Sequence, residues 1–140
     1  MKRRILLIPL LFFLIIPISG CDRTTLIPTT LTTNTYDYHH FPQLILSETS
    51  QQLSQAEADY YLYFFSSSCT ACLDVKGEVL AKLMVLSTDR VYLVSIQFSE
   101  DIDPRIHVTG IPAFVHVVNH EVHAIEQGAS NVRRILGEIN

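Results

Sequence analysis

Two cysteines, Cys69 and Cys72, enclose Thr70 and Ala71 at the point where an aromatic run gives way to a helical pattern. Three chemistries use a pair at this spacing: half of a zinc site, a structural bridge, or a redox couple. Zinc asks for two further ligands, and the six histidines place no spaced pair beside these cysteines. A structural bridge closing so short a loop constrains little of the unfolded chain. Redox use fits best, because Cys69 falls at the start of a predicted helix, where unpaired N–H groups and the helix dipole favour a thiolate. The other chemistry-bearing side chains carry less. His116 alternates with Phe114 and Val118 and reads as a core or edge residue; His120 and His123 fall in a predicted hairpin. His107, just ahead of Gly110-Ile111-Pro112, is the one histidine worth testing, and its plainer reading is structural. Asp74 and Asp101 read as solvated surface acids.

The elements that must position the pair follow from hydrophobic period. Tyr60 to Phe65 is aromatic almost throughout and reads as a strand buried on both faces. Cys72, Val75, Val79, Leu83 and Leu86 recur at helical spacing and share one face. Val91 to Phe98 is a second apolar strand, so the first half is a βαβ unit with a parallel pair. Ala113 to Val118 and Glu121 to Glu126 read as a hairpin turning at Asn119-His120. Gly128 ends that strand, and Ser130 is the expected N-cap of a last helix carrying Val132, Ile135, Leu136 and Ile139 inward. Ser47 to Asp59 is polar and helix-tolerant, with Leu53 and Ala56 as its inward residues. The order is a βαβ half followed by a ββα half.

In that order of elements, Cys69-Thr70-Ala71-Cys72 followed about 40 residues later by Gly110-Ile111-Pro112 at the mouth of a hairpin resembles the thioredoxin family, over roughly Leu44 to Asn140. The resemblance implies an α/β fold with a central mixed sheet flanked by helices. It also implies a cis Ile111–Pro112 bond facing the cysteines, with Ile111 and Pro112 as the substrate-binding pair. Cys69 is then the nucleophile and Cys72 the resolving thiol, the two alternating between dithiol and redox disulfide. The chain departs from the family at four places, one of them the loop Ser99 to His107, which is shorter than the family's usual helical connection. Ser68 stands where a Trp usually precedes the first cysteine, and Thr70-Ala71 replaces Gly-Pro. Tyr63 occupies the strand position of a buried carboxylate that takes the proton of the second cysteine, leaving open which group serves Cys72.

The whole chain has 140 residues, 48% of them hydrophobic and 17% charged, with a formal net charge of −4. A mildly acidic chain with no basic run is a poor candidate for a phosphate-tracking nucleic-acid binder. Much of the apolar content lies at the front. Lys2, Arg3 and Arg4 precede an apolar run from Ile5 to Ile18, interrupted by Pro9 and Pro17. As a helix that run spans about 21 Å, short of a bilayer core of roughly 30 Å, and matches a secretory signal. Ile18-Ser19-Gly20-Cys21 resembles the lipobox of bacterial lipoproteins, which implies cleavage before Cys21 and lipidation of its thiol. Residues 1–20 are therefore expected as signal peptide, 21–43 as lipidated cysteine and Thr-rich tether, and 44–140 as the folded domain. Within the tether, Tyr36 to Phe41 is an aromatic exception that reads as a segment packing onto the domain; a metal site at His39-His40 is a remote reading.

Together these readings describe a thiol–disulfide oxidoreductase held at the cell membrane by a lipid and facing the extracytoplasmic side. Its expected partners are a disulfide-containing or dithiol exported protein or peptide and a membrane redox partner, with no nucleic acid. It calls for no metal and no dissociable cofactor, since the cysteines carry the electrons. The alternative is a binding module of the same fold that holds a secreted peptide or export machinery with little redox turnover.

Overall fold

The computed structural model describes residues 36–86 and 90–139; the signal segment, Cys21 and most of the tether lie outside the described residues. Four strands, β1 (Asp59–Phe65), β2 (Val91–Ser95), β3 (Ala113–Val118) and β4 (Glu121–Gln127), form a sheet in the order β2-β1-β3-β4 among the described residues. β1 pairs with β2 in parallel, Tyr63 opposite Leu93, and with β3 in antiparallel, Tyr63 opposite Phe114. β3 turns directly into β4. Helix α1 (Thr70–Val85) makes the crossover from β1 to β2, and α2 (Ala129–Glu138) follows β4.

Strand alternation sorts the side chains onto two faces. Tyr63, Phe65, Val91, Leu93 and Phe114 point to one face, where Cys72, Val75, Val79 and Leu83 of α1, Val132, Ile135 and Leu136 of α2, and Ile139 at its C-cap bury against them. Tyr60, Leu62, Phe64, Tyr92, Val94, Val115 and Val117 point to the other. Burying a large apolar side chain contributes about 1.5–3 kcal/mol, so this central aromatic strand is the main source of cohesion. Both helices pack on the first face. The second is covered by irregular chain carrying Leu53 and Ile106.

The irregular cover is where the sequence pattern misleads. Ser47 to Asp59 forms only a single 3-10 turn at Thr49–Gln51, because one buried apolar residue, Leu53, does not give a helix a face to pack. Ala56 is exposed, and Gln52 is buried in its place. Gln52 donates from Nε2 to the Asp101 carbonyl at 2.7 Å and accepts the Asp103 N–H on Oε1 at 2.9 Å. It thereby ties the segment before β1 to the loop after β2. That strand ends at Ser95 rather than Phe98, and Phe98 is exposed.

The hairpin turns at Asn119 and His120 as expected, both in the left-handed region with φ of 51° and 66°. This mirror-image turn matches the twist of the two strands. The cap of α2 differs from expectation. Gly128, with φ of 90°, occupies the N-cap position and Ser130 lies inside the first turn, since β4 continues to Gln127 and leaves one residue to reverse the chain. Ahead of the domain core, Tyr38 to His40 forms a 3-10 turn whose Tyr38 is buried against Tyr63 and Phe65.

Candidate functional site

Strand β1 ends at Phe65, and Ser66, Ser67 and Ser68 carry the chain to the start of α1. Cys69 is the N-cap of that helix, and its Sγ accepts the Cys72 N–H at 3.0 Å. An N-cap normally uses an oxygen for this; a sulfur there receives the same orphan donor and the same positive end of the dipole. One turn later Cys72 faces the core. It is buried, whereas Cys69 is only half-buried. The two are joined as a disulfide with Cα atoms 5.2 Å apart. The half-buried sulfur is thus at the mouth of the site and the buried one behind it.

The loop before β3 closes on this pair. The Ile111–Pro112 peptide is cis, and the Ile111 carbonyl oxygen lies 3.7 Å from Cys69 Sγ. A side chain from the far strand fixes the approach. Gln127 Oε1 accepts the N–H groups of Thr109 at 2.9 Å and Gly110 at 2.6 Å, and the Thr109 hydroxyl at 3.1 Å. The Gly128 N–H donates to the Pro112 carbonyl at 2.8 Å. Cys69, Cys72, Ile111 and Pro112, separated by some forty residues in sequence, meet at one end of the sheet.

The arrangement has a parallel elsewhere. No family model and no curated protein matches the sequence. Among solved structures, a thioredoxin of Malassezia sympodialis, described as a pan-allergen, superimposes with a TM-score of 0.51 at 20% identity, over 67% of this chain and 89% of that one. The oxidised form of mitochondrial thioredoxin 3 from Saccharomyces cerevisiae gives 0.51 at 17% identity, covering 68% and 93%. Oxidised thioredoxin of Plasmodium falciparum gives 0.52 at 15%, covering 67% and 94%. The fold is that of thioredoxin.

Within this thioredoxin fold the departures have physical consequences. Tyr63, at the strand position expected to hold a carboxylate, is completely buried. Its hydroxyl and that of Tyr38 lie near one another in the core, with no well-aligned hydrogen bond to either. Burial pushes the Tyr63 phenol up to about 12 and raises that of Tyr38 further, so both remain protonated and neutral around neutral pH. Neither can take a proton from Cys72. Asp74 and Asp101 do not replace the carboxylate. Asp74 is exposed and paired with Arg133 at 2.9 Å, and Asp101 accepts the N–H groups of Gln97 and Phe98 at 2.7 and 2.9 Å.

Where the resemblance expects a Trp, Ser68 is exposed, and a different apolar group borders the cysteine. Phe98 stands 63% exposed on the loop after β2 and, with Ile96 and Ile111, lines an open groove of about 310 Å³ that includes Cys69. The period of Val91 to Phe98 placed this residue in a strand; its exposure comes from the turn that Asp101 caps.

His116 Nε2 donates to Asp59 Oδ1 at 2.9 Å and its ring stacks on Tyr61 at 4.5 Å, at the opposite end of β1. His107 is exposed on the loop before Gly110. The rings of His39 and His40 lie 4.0 Å apart, and no cluster of metal-binding side chains occurs among the described residues.

Proposed function

We propose that this chain is a membrane-tethered thiol–disulfide oxidoreductase that exchanges disulfides with exported proteins or peptides through Cys69 and Cys72. One observation carries the reading: a half-buried sulfur capping a helix, 3.7 Å from the Ile111 carbonyl oxygen, with its partner sulfur buried behind it. Starting from the reduced pair, the Cys69 thiolate attacks one sulfur of a substrate disulfide, forming a mixed disulfide and expelling the other substrate sulfur as a thiolate. Cys72 loses its proton and attacks Cys69 Sγ. The bond to substrate breaks, the substrate leaves as a thiol, and the Cys69–Cys72 disulfide holds the two electron equivalents' worth of oxidation. Reversing the steps oxidises a dithiol substrate. The groove beside Cys69 would hold the substrate chain extended, its backbone pairing with that of Ile111. The tethering to the extracytoplasmic face rests on the signal-like residues 1–20 and Cys21.

The test is a thiol count on the full-length chain equilibrated in graded ratios of reduced to oxidised glutathione. A pair that passes reversibly between two thiols and none supports the oxidoreductase. A pair locked in one state across the range favours the binding module, to which the replacement of a carboxylate by Tyr63 already leans.

A further inference from the structure

With Tyr63, Asp74 and Asp101 unable to serve Cys72, some other group must balance the charge that appears there when it resolves a mixed disulfide. The first turns of α1, where they meet the N-terminal 3-10 turn, offer one. A cavity of about 90 Å³ is lined by Cys72, Lys76, Asp37, Tyr38, Phe65 and Leu73, large enough for water and opening toward solvent. Lys76 lies one helical turn beyond Cys72, a spacing that brings Cβ atoms to within about 5–6 Å on the same face. Its ammonium is not free to wander. It is 3.0 Å from Asp37 Oδ1 and 5.6 Å from the centroid of the Tyr38 ring. Asp37 is itself fixed: the same Oδ1 accepts the Tyr38 N–H at 2.6 Å. Burial alone would raise the Asp37 carboxyl, but Lys76, the Tyr38 N–H and His39 outweigh it and hold the group below the usual aspartate value, hence ionised.

Given the oxidoreductase reading, on which this rests, we propose that Lys76, held in place by Asp37, is the cation that stabilises the thiolate of Cys72 while it attacks the mixed disulfide on Cys69. The Cys72 proton passes to water in the cavity and on to solvent. The thiolate forms the bond to Cys69 Sγ, the Cys69–substrate bond breaks, and the substrate sulfur takes up a proton from solvent. Lys76 keeps its own proton throughout and acts as a positioning charge. Other titratable groups near this cavity fit the assignment. Tyr38 from the N-terminal turn and Tyr63 from β1 stay neutral. His39 neighbours Asp37 on the exposed side, with Nδ1 at 3.9 Å from its carboxylate, and Asp74 and Glu78 of α1 are taken by Arg133 of α2. The segment that the sequence assigns to the end of the tether thereby supplies part of the redox site.

The experiment follows one probe, oxidised glutathione, on the reduced full-length chain in detergent. Acid quenching and mass spectrometry give the rates of formation and decay of the Cys69–glutathione adduct as functions of pH. In Lys76→Met the midpoint of the decay profile should rise by about half to one pH unit, the scale of a partly solvated opposite charge. Formation of the adduct by Cys69 should stay within about two-fold of wild type, because that step precedes ionisation of Cys72. Lys76→Arg should restore the wild-type midpoint. Asp37→Ala should move it in the same direction as Lys76→Met, since the ammonium is released; simple removal of a negative charge would move it downward, and that result would overturn the role given to Asp37. A Lys76→Met profile that superimposes on wild type, or falls equally at every pH with no change of midpoint, overturns the proposal. A wild-type chain that never forms or never resolves the adduct overturns the oxidoreductase reading instead, and this inference with it.

Discussion

The Ile111 carbonyl oxygen lies 3.7 Å from Cys69 Sγ, although 42 residues separate them in sequence. That contact joins the two halves of the fold. Cys69 belongs to the βαβ half, positioned by the end of β1 and the first turn of α1, and Ile111 belongs to the loop that opens the β3–β4 hairpin. A substrate strand lying along Ile111 would therefore present its sulfur to Cys69 and not to Cys72, which is buried behind it.

The first prediction concerns that asymmetry. Cys72→Ser should trap a peptide disulfide as a stable adduct on Cys69, whereas Cys69→Ser should give about ten-fold less adduct or none, because the remaining thiol is buried and lacks the helix cap. Non-reducing electrophoresis with mass spectrometry reads the result. Equal trapping by both variants would show that the division of labour is drawn wrongly.

A second prediction follows from Gln127. Its side-chain oxygen receives three hydrogen bonds from Thr109 and Gly110, which hold the chain just before Ile111. Gln127→Ala leaves those donors to water, so the stability loss should be small, about 1 kcal/mol. The functional loss should be larger for an extended peptide than for glutathione, as the backbone of Ile111 loses its fixed direction. Steady-state kinetics with both substrates would show it, and an equal effect on the two would count against the loop as the peptide's partner.

Much of the frame was legible in the sequence because it is periodic. The unbroken aromatic and apolar run of Tyr60 to Phe65 and the helical spacing of Cys72, Val75, Val79 and Leu83 are burial patterns that a chain cannot hide. The pairing of Cys69 with Ile111-Pro112 was legible only through the resemblance. The polar ties were not. Gln52 and Gln127 each bond to backbone far along the chain, and Lys76 meets Asp37 across 39 residues; no local pattern marks a side chain that will do so. Ser130 misled for a related reason, since a good capping residue competes with the position at which the preceding strand stops. Phe98 misled because an apolar residue continuing a strand pattern reads as buried, and only the turn closed by Asp101 shows that it is not.

Phe98 carries the third prediction. An exposed phenylalanine beside Ile96 and Ile111 gives the groove an apolar wall in place of the absent Trp. Covering part of that ring on binding is worth about 1 kcal/mol, which converts to roughly five-fold in affinity. Phe98→Ser should therefore raise KM about five-fold for a peptide with an apolar residue next to its cysteine, with kcat and glutathione turnover nearly unchanged. A fall in kcat at constant KM would place the side chain in the chemical step instead.

The last prediction separates Tyr63 from the chemistry. Its hydroxyl is buried with no well-aligned partner, and an unsatisfied buried hydroxyl costs about 1–3 kcal/mol, while the ring itself packs against Phe65 and Phe114. Tyr63→Phe keeps the ring and removes the oxygen, so thermal unfolding should occur at the same temperature or a few degrees higher. With the phenol pushed up to about 12 by burial, the oxygen holds its proton across the working range and takes no part in ionising Cys72. The decay of the Cys69–glutathione adduct should then keep both its wild-type midpoint and, within about two-fold, its rate. A shifted midpoint in Tyr63→Phe would mean that the two tyrosine hydroxyls act together on the buried thiol, and that Lys76 is not alone in serving it.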